Sequence, residues 1–266
     1  MYSFDYHKAQ SLADAKSRFD DADDALYLAG GMTLIPTLKQ RLSMPDELVD
    51  LSSIEGLKGV RVEGDELVIG AMTTHADVVA DANVLAHIPT LSYLVSLIGD
   101  PQVRNRGTLG GSLANNDPSS DYPAAVLGLG AVIVTDQRSI AADDFFVDLF
   151  ETALNEGEII TSVRFPIPNR AGYSKFPNPA SRYAVVGVFV AEVKGGIRVA
   201  ITGAGGTAFR QNEMEQALSR DFATESVANI KVSAEGLNND PHASADYRAS
   251  LITTMALRAV EHALQS

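Results

Sequence analysis

Two glycine-rich stretches constrain this chain more than any other feature. The first reads Ala29-Gly30-Gly31-Met32-Thr33-Leu34. The second reads Asn105-Arg106-Gly107-Thr108-Leu109-Gly110-Gly111-Ser112-Leu113-Ala114-Asn115-Asn116-Asp117-Pro118-Ser119-Ser120-Asp121. Each contains a Gly-Gly step flanked by hydroxyl or amide side chains. Without a Cβ, backbone N–H groups approach a ligand closely and φ > 0 becomes accessible, the two conditions for an anion-cradling turn. Two such loops in one acidic chain predict a diphosphate-bearing ligand gripped by backbone rather than by Lys or Arg. That chemistry belongs to dinucleotide cofactors.

The bulk properties remove several other readings. A chain of 266 residues has room for one large domain or two to three small ones, each with its own core. A net charge of −13 argues against nucleic-acid binding, which needs a basic face. The acidic run Asp20, Asp21, Asp23 and Asp24 lacks the glycine spacing of a calcium loop and reads as a solvated turn. There are no cysteines, so the sequence offers no Cys-ligated iron–sulfur cluster, cysteine nucleophile, disulfide or cysteinyl flavin. Zinc-protease, Walker A and nucleophile-elbow motifs are missing as well. The first ten residues lack a basic segment followed by an apolar run, and no apolar stretch is long enough to cross a bilayer; a cytoplasmic protein is expected.

Hydrophobic periodicity predicts helices at 11–19 and 33–42 around a buried strand at 25–28, then a strand at 47–51. A hairpin is expected at 60–71 about Gly64-Asp65, then helices at 74–82 and 87–98. Residues 99–120 read as a long loop with little helix or strand character, and loops of that length are usually functional. A short helix from Asp121 and strands at 131–135 and 159–165 follow. Pro166, Pro168, Pro177 and Pro179 mark a boundary. Beyond it come strands at 183–194 and 197–202 joined by Gly195-Gly196, a strand at 229–233 and a closing helix at 245–264. Strands and helices mix without strict βαβ alternation, so the expected class is α+β.

Neither glycine loop fits the G-x-G-x-x-G fingerprint of a Rossmann fold, because the second lacks the required helix start. The sequence instead resembles the medium, FAD-binding subunit of the molybdenum hydroxylases, the xanthine dehydrogenase and aerobic carbon monoxide dehydrogenase family. Residues 29–34, 70–75 (Gly-Ala-Met-Thr-Thr-His), 99–123 and 175–188 carry the resemblance, which covers essentially the whole chain. It implies a vanillyl-alcohol-oxidase-type FAD-binding domain at 1–168, with lobes of about 1–56 and 57–168. A C-terminal α+β domain at 169–266 is implied after it. The implied function is noncovalent FAD binding and electron transfer. Electrons would arrive from [2Fe-2S] clusters on a small subunit, after hydroxylation at a molybdenum–pterin centre on a large one, and leave to an external acceptor. The implied assembly is a dimer of heterotrimers, and no catalytic or metal-binding residue is assigned to this chain. A stand-alone flavin oxidase or reductase of the same fold is the alternative; a cofactor-free assembly subunit conflicts with the intact glycine loops.

The resemblance also implies roles for individual residues. Ala29, Gly30, Gly31, Met32, Thr33 and Leu34 would wrap the diphosphate, unless they form a plain strand-to-helix turn. Thr108, Gly110, Gly111 and Ser112 would meet phosphate or ribityl oxygens, Ser112 standing where many relatives carry Asn. Asn115, Ser120 and Asp121 would fix hydroxyls, with helix N-capping as the other role for Asp121. Thr73, Ile98 and Gly99 would line the cofactor region, and Ile160 would sit at the flavin edge. Lys175 and Tyr183 would approach the flavin, although Asn178 and Pro179 replace basic residues found in other members. Arg104 and Arg106 would either neutralise phosphate or pair with Asp100 or Asp117. His75 is expected as a capping or hydrogen-bonded residue rather than a covalent flavin link.

Overall fold

A computed structural model describes residues 1–265. The first fifty residues form a small parallel sheet in which β3 (Glu47–Asp50) lies between β1 (Asp5–Lys8) and β2 (Ala25–Leu28). Two helices, α1 (Leu12–Asp21) and α2 (Leu34–Lys39), make the connections. Ser11 caps α1 by accepting a hydrogen bond from the Asp14 N–H.

The second unit is an antiparallel sheet of five strands. Its first hairpin, β4 (Val60–Glu63) and β5 (Glu66–Gly70), turns through Gly64 at φ 61°. Where two helices were expected, three short ones form: α3 (His75–Ala80), α4 (Ala82–His87) and α5 (Pro89–Ser96). Asp81 ends α3 and caps α4, its carboxylate accepting from the Asn83 and Val84 N–H groups at 2.8 and 3.2 Å, while Pro89 opens α5.

The expected loop at 99–120 is in fact partly helical. It holds α6 (Pro101–Arg104) and α7 (Leu109–Asn115), followed by α8 (Tyr122–Leu129). Glycine disfavours helices, but here local capping compensates. The Thr108 hydroxyl accepts from the Gly111 N–H at the start of α7, and Asn116 closes it in the left-handed region at φ 41°. Strands β6 (Val132–Thr135) and β7 (Ser139–Ala141), helix α9 (Ala142–Phe145) and a small hairpin, β8 (Phe146–Asp148) with β9 (Glu151–Thr152), come next. Strand β10 (Ile160–Pro166) then inserts between β5 and β6, giving the order β4-β5-β10-β6-β7.

The proline-rich stretch contains a full strand, β11 (Arg170–Pro177), which sequence reasoning had treated only as a boundary. It is an edge strand with Pro177 at its end, where no ladder donor is needed. It pairs with β12 (Ala184–Val193), which turns tightly through Lys194 and Gly195 into β13 (Gly196–Thr202); β14 (Phe209–Arg210) completes the sheet. Helices α10 (Asn212–Arg220), α11 (Thr224–Ala228) and α12 (Ala245–Gln265) cover one face. The expected strand at 229–233 is irregular chain: Ile230 and Val232 pack into the core, and the Ile230 carbonyl accepts from the Thr253 hydroxyl instead of from a ladder.

Strand β12 explains why the C-terminal sheet is inseparable from the rest. Val186, Val188 and Val190 join the core beneath α12. Phe189, Ala191 and Val193 face the other way, into the core of the five-stranded unit with Leu94, Tyr122 and Phe165. A strand buried on both faces reads as an unbroken apolar run, as 184–191 does.

Strand β11 meets α12 at Gly172, where an added Cβ would run into the Ala259 carbonyl oxygen. Gly172→Ala is therefore expected to destabilise the fold by about 2 kcal/mol or more through overpacking. Gly195→Ala, at a turn with nothing within 4 Å of the new methyl, is the control and should change little. Urea unfolding of the two variants measures the difference.

Candidate functional site

The two glycine stretches meet in space. Strand β2 delivers residues 29–31 to the end of the parallel sheet, and Gly31 turns at φ 72° into α2. A Cβ on Gly30 would strike the Arg106 carbonyl oxygen and approach the Gly107 Cα to 2.8 Å. Gly111 lies against the same loop, its added Cβ 3.4 Å from Ala29 Cβ and 2.9 Å from the Thr108 hydroxyl. These glycines let two loops and a helix start touch through their backbones.

The loops nevertheless differ in what they can offer a ligand. In α7 the Leu109 N–H donates to the Thr73 carbonyl, Gly110 to Ala71, Gly111 to the Thr108 hydroxyl and Ser112 to the Thr108 carbonyl, all at 2.8–3.1 Å. Those donors are already engaged. The N–H groups of Gly30, Gly31, Met32, Thr33 and Leu34 meet no acceptor among the described residues. A run of adjacent unpaired N–H groups ahead of α2 is an anion cradle of the kind backbone nests form.

A cavity of about 810 Å³ opens over this cradle. Its walls include Ala29, Gly30, Gly31, Met32, Thr33, Leu34, Ile98, Gly99, Thr108, Gly110, Gly111, Ser112, Asn115, Ser120, Asp121, Ile160 and Tyr183, all singled out in the sequence. Two others are not there. Thr73 is buried, with its hydroxyl bonded to the Gly59 N–H and carbonyl at 2.9 and 3.2 Å, where it anchors the start of β4. Lys175 is turned away into an ion pair: its Nζ lies 2.8 Å from Asp121 Oδ2 and 3.2 Å from the Leu97 carbonyl, with its side chain 3% exposed.

Asp121 also accepts from the Tyr173 hydroxyl at 2.5 Å and caps no helix. Burial raises its pKa, against the pull of Lys175 and Tyr173 toward the ionised form. Arg104 departs from expectation as well. It pairs with neither Asp100 nor Asp117 and donates to the Ile98 and Gly99 carbonyls at 2.9 and 3.3 Å. Arg106 is exposed and makes no ion pair among the described residues.

Sequence reasoning missed several wall residues. Tyr27 follows its strand into the cavity, stacks on Phe19 and donates to the Gly157 carbonyl. Glu158 is a buried carboxylate whose pKa is pulled down to about 2, first by the Arg138 guanidinium, with help from the Asn155 N–H and the Thr135 hydroxyl. Its only sequence signal is its place just before β10. Arg182 lines the cavity beside Tyr183. Burial, with Asp117 and Asp121 nearby, raises the pKa of Tyr183.

His75 opens α3 but neither caps it nor bonds through Nδ1; Thr74 is the cap. The ring is 4% exposed, and burial, aided by Arg104, lowers its pKa to about 4. It is therefore neutral at pH 7.

Comparison with known proteins places this geometry. Residues 2–168 match a family described as the FAD binding domain in molybdopterin dehydrogenase. The carbon monoxide dehydrogenase medium chain of Hydrogenophaga pseudoflava is 34% identical over 98% of this chain and 96% of its own length. The nicotine 6-hydroxylase medium subunit of Paenarthrobacter nicotinovorans is 34% identical over 97% and 96%. Among solved structures, reconstituted CO dehydrogenase from Oligotropha carboxidovorans superposes with a TM-score of 0.90 at 34% identity, covering 98% of each chain. Quinoline 2-oxidoreductase from Pseudomonas putida 86 gives 0.89 at 30% identity, covering 99% of this chain and 98% of that one. Fold and family match define a flavin-binding oxidoreductase subunit. The chain belongs to the FAD-binding medium-subunit family of the molybdenum hydroxylases.

The state of His75 sets a pH dependence. Its folded pKa lies below the ordinary value of 6.5, so the unfolded chain binds the extra proton first and stability falls as pH drops below about 6.5. The loss should reach about 2 kcal/mol by pH 4.5. Urea unfolding at pH 7 and 4.5 should show that loss in the native protein and a smaller one in His75→Asn. The Glu158 carboxylate contributes its own loss only at still lower pH, as its folded pKa of about 2 is approached.

Proposed function

We propose that this chain is the FAD-carrying electron-transfer subunit of a heteromeric molybdenum hydroxylase. It takes electrons from [2Fe-2S] clusters of a small subunit and passes them to an external acceptor. Substrate is oxidised at the molybdenum–pterin centre of a large subunit. Residues 1–168 are the FAD-binding domain, in two lobes of about 1–56 and 57–168, and 169–266 the C-terminal domain. The observation that carries this reading is the run of unpaired N–H groups at residues 30–34 at the wall of a cavity of about 810 Å³.

The cradle suits the residues the family implies. A diphosphate accepts hydrogen bonds from the N–H groups of Gly30, Gly31, Met32, Thr33 and Leu34, and backbone donors serve an anion in a chain whose charged side chains are mostly acidic. The side chains of Ser112, Asn115 and Ser120 hold ribityl or ribose hydroxyls. Thr108, Gly110 and Gly111 shape the wall, Ile160 and Ile98 supply apolar surface, and Tyr183 lies beside the ring. FAD, when bound, supplies a centre that accepts electrons singly and delivers them in pairs. The sequence has no cysteine, so the iron–sulfur donor is another polypeptide. The assembly we infer is a dimer of heterotrimers in the cytoplasm.

The full chain should take up one equivalent of FAD that acid precipitation releases completely; flavin retained on the polypeptide would mean a covalent link. Gly111→Val should lower FAD affinity by at least tenfold, because the branched side chain meets Thr108 and Ala29 at the loop contact. Circular dichroism should show the C-terminal sheet intact in that variant, and unchanged flavin uptake would exclude the loop from the site.

The FAD-loaded chain alone should oxidise no aldehyde, purine or N-heterocycle. It should copurify with a Cys-rich small subunit and a large molybdenum subunit. Turnover by this polypeptide without molybdenum would identify a self-sufficient flavin oxidase instead.

A further inference from the structure

Three cationic side chains converge on three consecutive carbonyls just beyond the C-terminus of α5. Lys175 donates to the Leu97 carbonyl, Arg104 to those of Ile98 and Gly99, and Arg182 to that of Gly99 at 3.4 Å. Cations are favoured at a helix C-terminus, but their charge is unequally compensated. Lys175 is matched by Asp121, whereas neither Arg104 nor Arg182 forms an ion pair among the described residues. Carboxylates of Asp100, Asp121 and Glu158 line the same cavity, so Arg182 is a lone cation set among acidic groups.

Arg182 is the member of this group that faces the cavity, and it supplies the only Lys or Arg side chain in the described wall. It sits at φ 64°, a left-handed conformation that a residue with a Cβ adopts only at a cost. The surrounding turn holds it there. The Asn178 side chain accepts from the Ala180 and Ser181 N–H groups at 2.9 and 3.1 Å, and the Asn178 carbonyl accepts from the Arg182 N–H at 2.8 Å. The Asn178 N–H donates to the Tyr183 carbonyl at 2.8 Å, closing the loop. The same cavity is lined by Ile98 and Tyr183, which supply apolar and aromatic surface suited to a flat ring, with Gly99, Asp100 and Ser181 beside them.

We propose that Arg182 is the redox-tuning residue of the bound flavin, its guanidinium stabilising the negative charge that the ring gains on reduction. This rests on the FAD-binding reading above. Two electrons from a low-potential donor and one proton at N5 leave the reduced ring with one negative charge, centred on N1 and the C2 carbonyl. A cation on that side favours the reduced form. The resemblance brings Lys175 near the flavin; the structure neutralises Lys175 with Asp121 and leaves Arg182 without an ion pair among the described residues.

The test uses the full chain reconstituted with FAD and reduced by dithionite in the presence of a reference dye. Arg182→Gln and Arg182→Gly should each bind one FAD with affinity within about threefold of the native chain. At a fixed potential, their ratio of reduced to oxidised flavin should fall by about tenfold, or about 30 mV for a two-electron couple. Arg182→Lys should recover most of that ratio. The glycine variant relieves the positive φ while removing the charge, so agreement between Gln and Gly assigns the effect to charge rather than backbone strain. Sulfite addition to the oxidised flavin should slow in the same two variants. An unchanged reduction ratio in both would overturn the proposal, and so would a loss of FAD affinity at constant ratio, which would place the guanidinium on the diphosphate. A native chain that binds no FAD would overturn the functional reading and this inference with it.

Discussion

The contact between Gly30 and the Arg106–Gly107 backbone is the constraint on which the site depends. No side chain fits between these segments, so the parallel sheet that carries the first loop and the five-stranded unit that carries the second are held at backbone distance. From there the order propagates outward. Gly107 accepts from the His75 N–H, Leu109 donates to Thr73 and Gly110 to Ala71, tying α7 to the end of β5. The same helix ends at Asn116, whose side-chain amide donates to the Asp148 and Glu151 carbonyls and so pins the β8–β9 hairpin. One glycine contact thereby fixes the relative placement of both cavity walls. The cost is conformational: glycine-rich segments lose more backbone entropy on ordering than other sequences do. Engaging nearly every N–H of the second loop offsets that cost.

The engagement of the second loop also explains a division of labour. A helix start whose donors are all bonded within the protein is rigid but has little to give an anion. The first loop is the reverse, with five successive residues whose N–H groups meet no acceptor among the described residues. Rigidity on one side and unmet donors on the other suit the capture of a diphosphate better than two half-satisfied loops would. Stability and anion capture then fall to different backbone segments, coupled through the Gly30 and Gly111 contacts between them.

Much of the fold was legible from periodicity and turn chemistry. The apolar run at 184–191, the Gly64 hairpin and the amphipathic closing helix each state their structure locally. What was misread depends on tertiary context. Helix α7 contains Gly110 and Gly111 and has poor intrinsic propensity; Thr108, Asn116 and the Ala71 contact make it helical. Strand β11 was hidden by its prolines, which an edge strand tolerates at its end. Ile230 and Val232 suggested a strand, yet they bury against α11 and α12 without a ladder partner. In the site, the glycine segments marked where the cavity lies, because close backbone approach leaves a compositional trace. Donor engagement leaves none. Nothing in the sequence says that the Gly110 N–H is taken by Ala71 while the Gly31 N–H is unmet.

The same limit governs the charged groups. Lys175, Arg104 and Arg182 look equivalent in sequence, and their roles diverge only through their neighbours. Asp121, buried with Tyr173, draws Lys175 into the interior and makes a neutral structural unit there. Such a pair gains little net stability over an apolar substitute, but losing one partner is costly because the other remains buried and uncompensated. Arg104 is turned to backbone carbonyls, from which position its charge still helps to keep His75 neutral. Arg182 is lifted to the cavity by the turn that Asn178 builds. A protein with a large excess of carboxylates thus keeps one guanidinium at the cavity by partner choice rather than by composition. Asp121 takes up one cation and the carbonyls of Ile98 and Gly99 hold the other two, of which Arg182 alone reaches the cavity.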